Sequence, residues 1–239
     1  MTLSMFQRDR IQRQKKLHEE RGDHCADIKL VGGLGLSNFV MKKGVFHPDE
    51  FAAIWLARWL VLNNGLYTGK EGMDIGCCTS IQGIVAGLYG AARVYFGDVS
   101  TLALENTQEN CAQYGILDKV EIVKSDLFEG LKKRNADMII FNHPFFDAKP
   151  TPGDTIEMAM LDEDGKIFRR FLEDAKPRLH PGGTIVMPFF HFAGETNDPG
   201  RHAAKYGYDV QVGFHHEHLS GLQESVSIYL LRSLEHFRK

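Results

Sequence analysis

The chain has 239 residues, 43% of them hydrophobic and 25% charged, which is room for one large domain in the ordinary range of globular proteins. Its formal net charge of −3 excludes a surface that binds nucleic acid all over, but not a local basic patch. No apolar run nears the ~20 residues of a membrane helix, and the N-terminus is polar rather than signal-like. The four cysteines form neither a metal-ligand pattern nor a disulfide framework, so a reducing cytoplasm is the expected setting.

Residues 1 to 40 read as an extension built of a basic helix and a turn, and residues 41 to 239 as the main domain. Residues 1 to 21 hold six basic and three acidic side chains. Phe6, Ile11 and Leu17 are too sparse for an apolar face, so a solvated helix or frayed arm is expected, with a contact to RNA or an acidic protein as the sharper option. Gly32-Gly33-Leu34-Gly35 is a turn, followed by a hairpin-like segment from Leu36 to Val45 that turns at Lys42-Lys43-Gly44. Asp49 is placed to cap a helix whose stripe is Phe51, Ile54, Trp55, Leu56, Trp59, Leu60 and Leu62, ending at Asn63-Asn64-Gly65.

From Gly72 onward strands and helices alternate, the pattern of a parallel sheet with crossover helices. Met73-Asp74-Ile75-Gly76 is the first strand, and Thr79-x-x-Gln82 a capping box for the helix bearing Ile81, Ile84, Val85 and Leu88. Arg93 to Phe96 is the second strand, delivering Asp98; Ser100 or Thr101 then caps a helix running to about Tyr114. Val120 to Val123 is the third strand, followed by Asp126. Asp137 to Phe141 is the fourth, a continuous apolar run that breaks at Asn142-His143-Pro144-Phe145-Phe146 because Pro144 cannot extend a ladder. A loop from Asp147 to Asp154, a helix from about Gly165 to Leu179 and a fifth strand from Thr184 to Phe190 come next. Two last strands, Tyr208 to Phe214 and Ser225 to Leu231, are joined through Ser220-Gly221.

Ligands bind outside the carboxyl ends of the strands in such sheets, and here those ends carry Asp74-x-Gly76, Asp98, Asp126 and Asn142. Gly76 lets backbone approach a ligand at the first strand-to-helix turn. Asp98 stands at the spacing where an acid meets two ribose hydroxyls, and Asp126 can accept from an adenine amine. A single such Asp is usually a turn residue, but together they form a nucleoside-shaped site. Cys77, Cys78, Thr79 and Ser80 follow Gly76, so the G-x-G-x-x-G cradle of dinucleotide dehydrogenases is absent and methyl transfer is favoured.

These motifs resemble the core of class I S-adenosylmethionine-dependent methyltransferases of the small-domain group, which includes HemK-type protein glutamine methyltransferases and ribosomal RNA guanine N2-methyltransferases. The resemblance runs through Met73-Asp74-Ile75-Gly76-Cys77, Gly97-Asp98-Val99-Ser100, Ser125-Asp126-Leu127-Phe128 and Asn142-His143-Pro144-Phe145. The last is similar to the Asn-Pro-Pro-Tyr/Phe motif, with His143 in place of its first proline, and Cys78 and Ser80 replace two glycines usual in the first loop. The resemblance implies an α/β, Rossmann-like fold: a seven-stranded, mostly parallel sheet with an antiparallel last strand. It implies S-adenosyl-L-methionine as cofactor, held by Phe46, Pro48, Asp74, Gly76, Cys77, Asp98, Val99, Asp126, Leu127 and Asn142. It also implies catalysis by Asn142, Pro144 and Phe145 on a planar amide or amine nitrogen of a protein or RNA. A small-molecule acceptor and a non-catalytic nucleoside-binding scaffold are the alternatives.

His143 either fills its turn or faces substrate, together with Phe146, His191 and Phe192 as an aromatic acceptor pocket. His215-His216-Glu217-His218 could pair two imidazoles on one strand face, but a third ligand is missing and a polar strand end explains it, so no metal site is expected.

Overall fold

The computed structural model describes residues 3–48, 52–217 and 224–234. Helix α1 (Met5–Glu20) starts with a full capping box, Ser4 and Gln7 each binding the other's backbone N–H. It is not a solvated arm. Ile11, Gln14 and His18 are buried along one side, and Lys15 Nζ reaches Asp154 at 2.8 Å and Glu157 at 2.6 Å. Gln7 donates to the Phe192 carbonyl at 3.0 Å, and Arg10 pairs with Glu224 at 3.3 Å. Two of the three buried residues are polar, which is why hydropathy periodicity shows no face here.

The hairpin also differs from expectation. Strand β1 (His24–Lys29) pairs antiparallel with β2 (Gly35–Met41), and the turn is at Gly32 and Gly33, whose φ values of +60° and +78° suit glycine. Lys42-Lys43-Gly44 instead ends β2 and sends the chain toward the large sheet, with Val45 N–H donating to the Lys42 carbonyl at 3.1 Å.

Helix α2 (Ala53–Leu62) follows, and the expected cap Asp49 lies outside the described residues. Then come β3 (Glu71–Ile75), α3 (Ile81–Leu88), β4 (Arg93–Asp98), α4 (Thr101–Gln113), β5 (Val120–Lys124) and β6 (Ala136–Phe141). The second half holds α5 (Thr155–Met160), α6 (Lys166–Ala175), β7 (Leu179–Phe190), α7 (Pro199–His202), β8 (Tyr208–His216) and β9 (Val226–Ser233). The expected Ser220-Gly221 connection lies outside the described residues. The seven strands lie in the order β5-β4-β3-β6-β7-β9-β8. The pairs from β5 to β7 are parallel, while β9 runs antiparallel to both its neighbours.

Side-chain alternation along the central strands builds two cores. Ile139 and Phe141 go to one face with Phe168, Phe171 and Leu172 of α6. Met138 and Ile140 go to the other with Leu56, Leu60, Ile84 and Val85 of α2 and α3. Gly83 lets α3 settle on this second face, since a Cβ there would lie 2.2 Å from the Phe96 ring and 2.9 Å from Asp74 Oδ2. The parallel strands point their carboxyl ends to one edge, and the break between β3, which turns one way, and β6, which turns the other, opens the crevice there.

Candidate active site

A cleft of about 310 Å³ occupies that edge, and a recess of about 30 Å³, room for one small group, adjoins it. The loop after β3 forms the floor. Gly76, Cys78 and Ser80 all have left-handed backbone, at φ +62°, +49° and +63°. Two of the three are the positions at which the resemblance leads one to expect glycine, so the loop keeps its shape without the residue best suited to it, at about 1–2 kcal/mol each. Cys78 N–H donates to Asp98 Oδ2 at 3.0 Å, and the Ser80 hydroxyl bonds that of Thr107, which offsets part of the strain. Because Ser80 is the left-handed N-cap residue of α3 and makes no side-chain cap bond, the expected Thr79–Gln82 capping box does not form. Gln82 donates to the Ala53 carbonyl instead, at 3.3 Å.

Phe46, Gly76, Asp98, Val99, Asp126, Leu127, Asn142 and Pro144 line the large cleft. Pro48, Cys77, His143 and Phe145 line the recess, and Phe46, Gly76 and Asn142 belong to both. Asp98 ends β4 with both oxygens engaged, accepting from Cys78 N–H and, at 2.8 Å, from Ser100 N–H. Each oxygen keeps a lone pair for a ligand hydroxyl. Burial holds its carboxyl above the usual range against those bonds. Asp126 is half-exposed at the rim, paired with Arg170 at 3.1 Å. Such exposed pairs are worth about 0–1 kcal/mol, so a ligand amine can compete for the carboxylate.

Four sequence-derived site residues are not on these walls. Asp74 is 2% exposed and sits beneath the loop, where its Oδ2 accepts from Gly83 N–H at 2.8 Å. Burial pushes its carboxyl up to about 8, and it anchors α3 rather than touching the cleft. Phe146 is fully buried and packs edge-on against Phe190 at 6.4 Å, because consecutive residues of extended chain point to opposite sides. His191 turns to Ser227, its Nε2 2.7 Å from the hydroxyl, and Phe192 tilts against Phe190 at 5.8 Å. The strand end does reach Phe145, but through Phe189 at 5.7 Å.

The His143 ring is 1% exposed, stacked on Phe168 at 5.2 Å, and bonded through Nε2 to the Asn197 carbonyl at 2.8 Å. Burial pushes its pKa down to about 4, so the ring is neutral and Nε2 is the donor. His143 therefore fills the turn. Asn197, which the sequence reading missed, completes the clamp: its side-chain amide faces the carbonyls of Pro144 at 3.4 Å, Phe145 at 3.2 Å and Asp162 at 3.4 Å. Also missed were the far walls, Thr155, Met158 and Ala159 of α5 with Ile167 and Arg170 of α6. A loop rich in Pro, Asp and Gly gave no periodic signal ahead of α5.

The helix α1 backs both lips of the cleft. His18 Nε2 accepts from His47 N–H at 2.9 Å, and its ring stacks on Phe46 at 4.8 Å. Lys15 grips α5 through Asp154 and Glu157, and that ion pairing holds both carboxyls below their usual range despite partial burial.

The residues fit S-adenosylmethionine. A largely apolar cleft suits a purine, Asp98 offers free lone pairs at the strand end, and Gly76 lines the cleft with left-handed backbone at φ +62°. Together with the strand order, these features define a Rossmann-like class I methyltransferase domain that uses S-adenosylmethionine. A family model described as "Methyltransferase small domain" matches residues 37–195, and the chain belongs to that family.

The chain is 32% identical over 151 residues to a tRNA (guanine(10)-N2)-dimethyltransferase of Methanothermobacter thermautotrophicus, covering 63% of this chain and 42% of that one. It is 30% identical over 199 residues to a release factor glutamine methyltransferase of Clostridium botulinum, covering 79% and 66%. The chain thus spans less than two thirds of the length of either relative. Among solved structures, the 16S rRNA N2 G1207 methyltransferase of T. thermophilus, in complex with AdoMet and guanosine, shares the fold. The TM-score is 0.62 with 17% identity over 89% of this chain and 51% of that one.

Proposed function

We propose that the protein transfers a methyl group from S-adenosylmethionine to a planar amide or amine nitrogen of a protein or RNA acceptor. The observation that carries this reading is Asn142, which lines both the cleft and the recess while its buried Oδ1 has no hydrogen-bond partner. Leaving a buried acceptor unused costs about 1–3 kcal/mol, a penalty a donor N–H removes. Relatives that act on tRNA guanine N2 and on glutamine point to the same kind of nitrogen.

Phe46, Gly76, Val99 and Leu127 would hold the cofactor, with Asp98 accepting from its ribose hydroxyls and Asp126 from its adenine amine. The bound group supplies an electrophilic methyl on a sulfonium sulfur. The rest falls to the chain's own atoms. A planar nitrogen has its lone pair delocalised and is a poor nucleophile. Asn142 Oδ1 and a carbonyl of the adjoining turn accept its N–H groups and turn the lone pair toward the cleft. Positioning of this kind supplies ~7–11 kcal/mol in favourable cases, and no base of shifted pKa is needed. His143, neutral and committed to Asn197, takes no proton. Phe145, at the recess wall, offers a ring face to the planar acceptor and to developing positive charge, worth ~1–2 kcal/mol when desolvated.

Labelled-methyl transfer into cell extract, fractionated into protein, RNA and small molecules, tests the reading and identifies the acceptor. Asn142→Ala is expected to abolish incorporation and leave adenosylmethionine binding by calorimetry intact. Wild-type turnover in that variant, or no cofactor binding by the native chain at millimolar ligand, sinks the proposal.

A further inference from the structure

A second hollow, of about 570 Å³, lies behind the turn that carries Asn142. Its walls carry Arg169 of α6, Arg201 and His202 of α7, Lys205 and Tyr206 of the turn that follows, and one acid, Glu195. Arg201 takes that acid at 2.6 Å. The lining therefore keeps a net +2 from its Arg, Lys and Glu side chains, in a chain whose formal net charge is −3. His202 Nε2 stands 3.0 Å from the Glu195 carbonyl oxygen, and its Nδ1 stands 3.5 Å from Lys205 Nζ.

The hollow shares its inner wall with the site. Phe168 lines it and stacks on His143. Thr196 lines it and precedes Asn197, the residue that clamps the Pro144 and Phe145 carbonyls. Arg169 and Arg170 are neighbours on α6, one in this hollow and the other in the cofactor cleft. An acceptor held here lies one packed layer from Asn142.

We propose that this cationic hollow binds the phosphate backbone of a single-stranded RNA acceptor. Cations along a groove take the phosphates and an aromatic ring takes a base, and Arg169, Lys205 and Tyr206 supply both parts. An acidic peptide would answer the cations and leave the ring without a stacking partner. The inference rests on the methyl-transfer reading and narrows its acceptor to RNA.

The test is fluorescence anisotropy of fluorescein-labelled oligouridine with the full chain across a range of salt. Each phosphate contact to a single strand adds ~0.7 to the slope of log affinity on log salt. Losing two contacts in Arg169→Gln/Lys205→Gln lowers the slope by about 1.4 and the affinity at about 0.05 M salt by about 60-fold relative to about 1 M. An equal or larger loss of affinity in Arg169→Glu/Lys205→Glu supports the proposal. An unchanged slope in both variants overturns it, as does absence of RNA binding by the native chain, or displacement of the RNA by polyglutamate at matched charge. Calorimetry with adenosylmethionine on the same proteins separates the two readings. Both variants are expected to bind the cofactor as the native chain does, since neither residue lines its cleft. A native chain that binds RNA with the stated slope but no cofactor would sink the methyl-transfer reading and not the groove.

Discussion

Asn197→Ala isolates the clamp on the turn that carries Asn142. The substitution keeps the backbone carbonyl that receives His143 Nε2 and deletes only the carboxamide. Three contacts disappear, to Pro144, Phe145 and Asp162, at 3.4, 3.2 and 3.4 Å. At these lengths, and shared by two N–H groups, each is worth about 0.5 kcal/mol, and the small void left behind adds about 1 kcal/mol. Against this, Asn197 Oδ1 is itself buried and unbonded, so its removal returns about 1 kcal/mol. The net is about 1.5 kcal/mol, a melting temperature lower by about 3–6 °C for a chain of this size. Activity is expected to fall further than stability, because a reacting group misplaced by about 1 Å loses ~100-fold in rate. Asn197 lines neither hollow of the site, so kcat is expected to drop while the cofactor Kd holds. Thermal denaturation, steady-state kinetics and calorimetry read these separately. A folded Asn197→Ala protein with native kcat refutes the positioning role, and so does a cofactor affinity that falls in step with kcat.

Two further outcomes are expected. Gly83→Ala forces a methyl against the Phe96 ring and Asp74 Oδ2, so it is expected to destabilise by about 1–3 kcal/mol and weaken cofactor binding by lifting α3. A native melting temperature would show that α3 is not seated as described. The imidazole of His143 is pushed down to about 4 from 6.5, so the unfolded chain binds the proton first as pH falls. Its contribution is complete above pH ~6.5 and disappears toward pH ~4, roughly 3 kcal/mol in all. His143→Phe, which keeps a ring between Phe168 and Phe189, is expected to lose stability less steeply across that window. Urea midpoints at both ends of the window that shift equally in the two proteins would contradict this.

Strand β6 was legible because it reads as a continuous apolar run, and Asp98, Asp126 and Asn142 stood out as polar residues at or just past strand ends. The elements that escaped are those whose burial is polar or alternating. Strand β1 shows an every-other pattern of partial exposure, and α1 buries Gln14 and His18, side chains that hydropathy counts as surface. Asn197 was invisible for the same reason, since only the fold brings it to Pro144, 53 residues away. Phe145 and Phe146 show the limit of composition: two identical rings, one on the recess and one in the core, separated by the alternation of extended backbone. The left-handed Cys78 and Ser80 could be suspected only from the resemblance, because neither residue type announces that conformation.

The attachment of α1 also orders the events of folding. Its Lys15, Gln7 and Arg10 meet partners 142, 185 and 214 residues farther along the chain. Loops of that size close late, after local contacts have formed. By these contacts α1 completes its docking only once α5 and the residues flanking β7 and β9 are in position, whereas its bond to His47 closes over 29 residues. Since α1 backs Phe46 on one lip of the cleft and α5 on the other, the cofactor pocket is finished only at that step. A chain emerging from the ribosome N-terminus first gains its sheet before it gains a closed cofactor site.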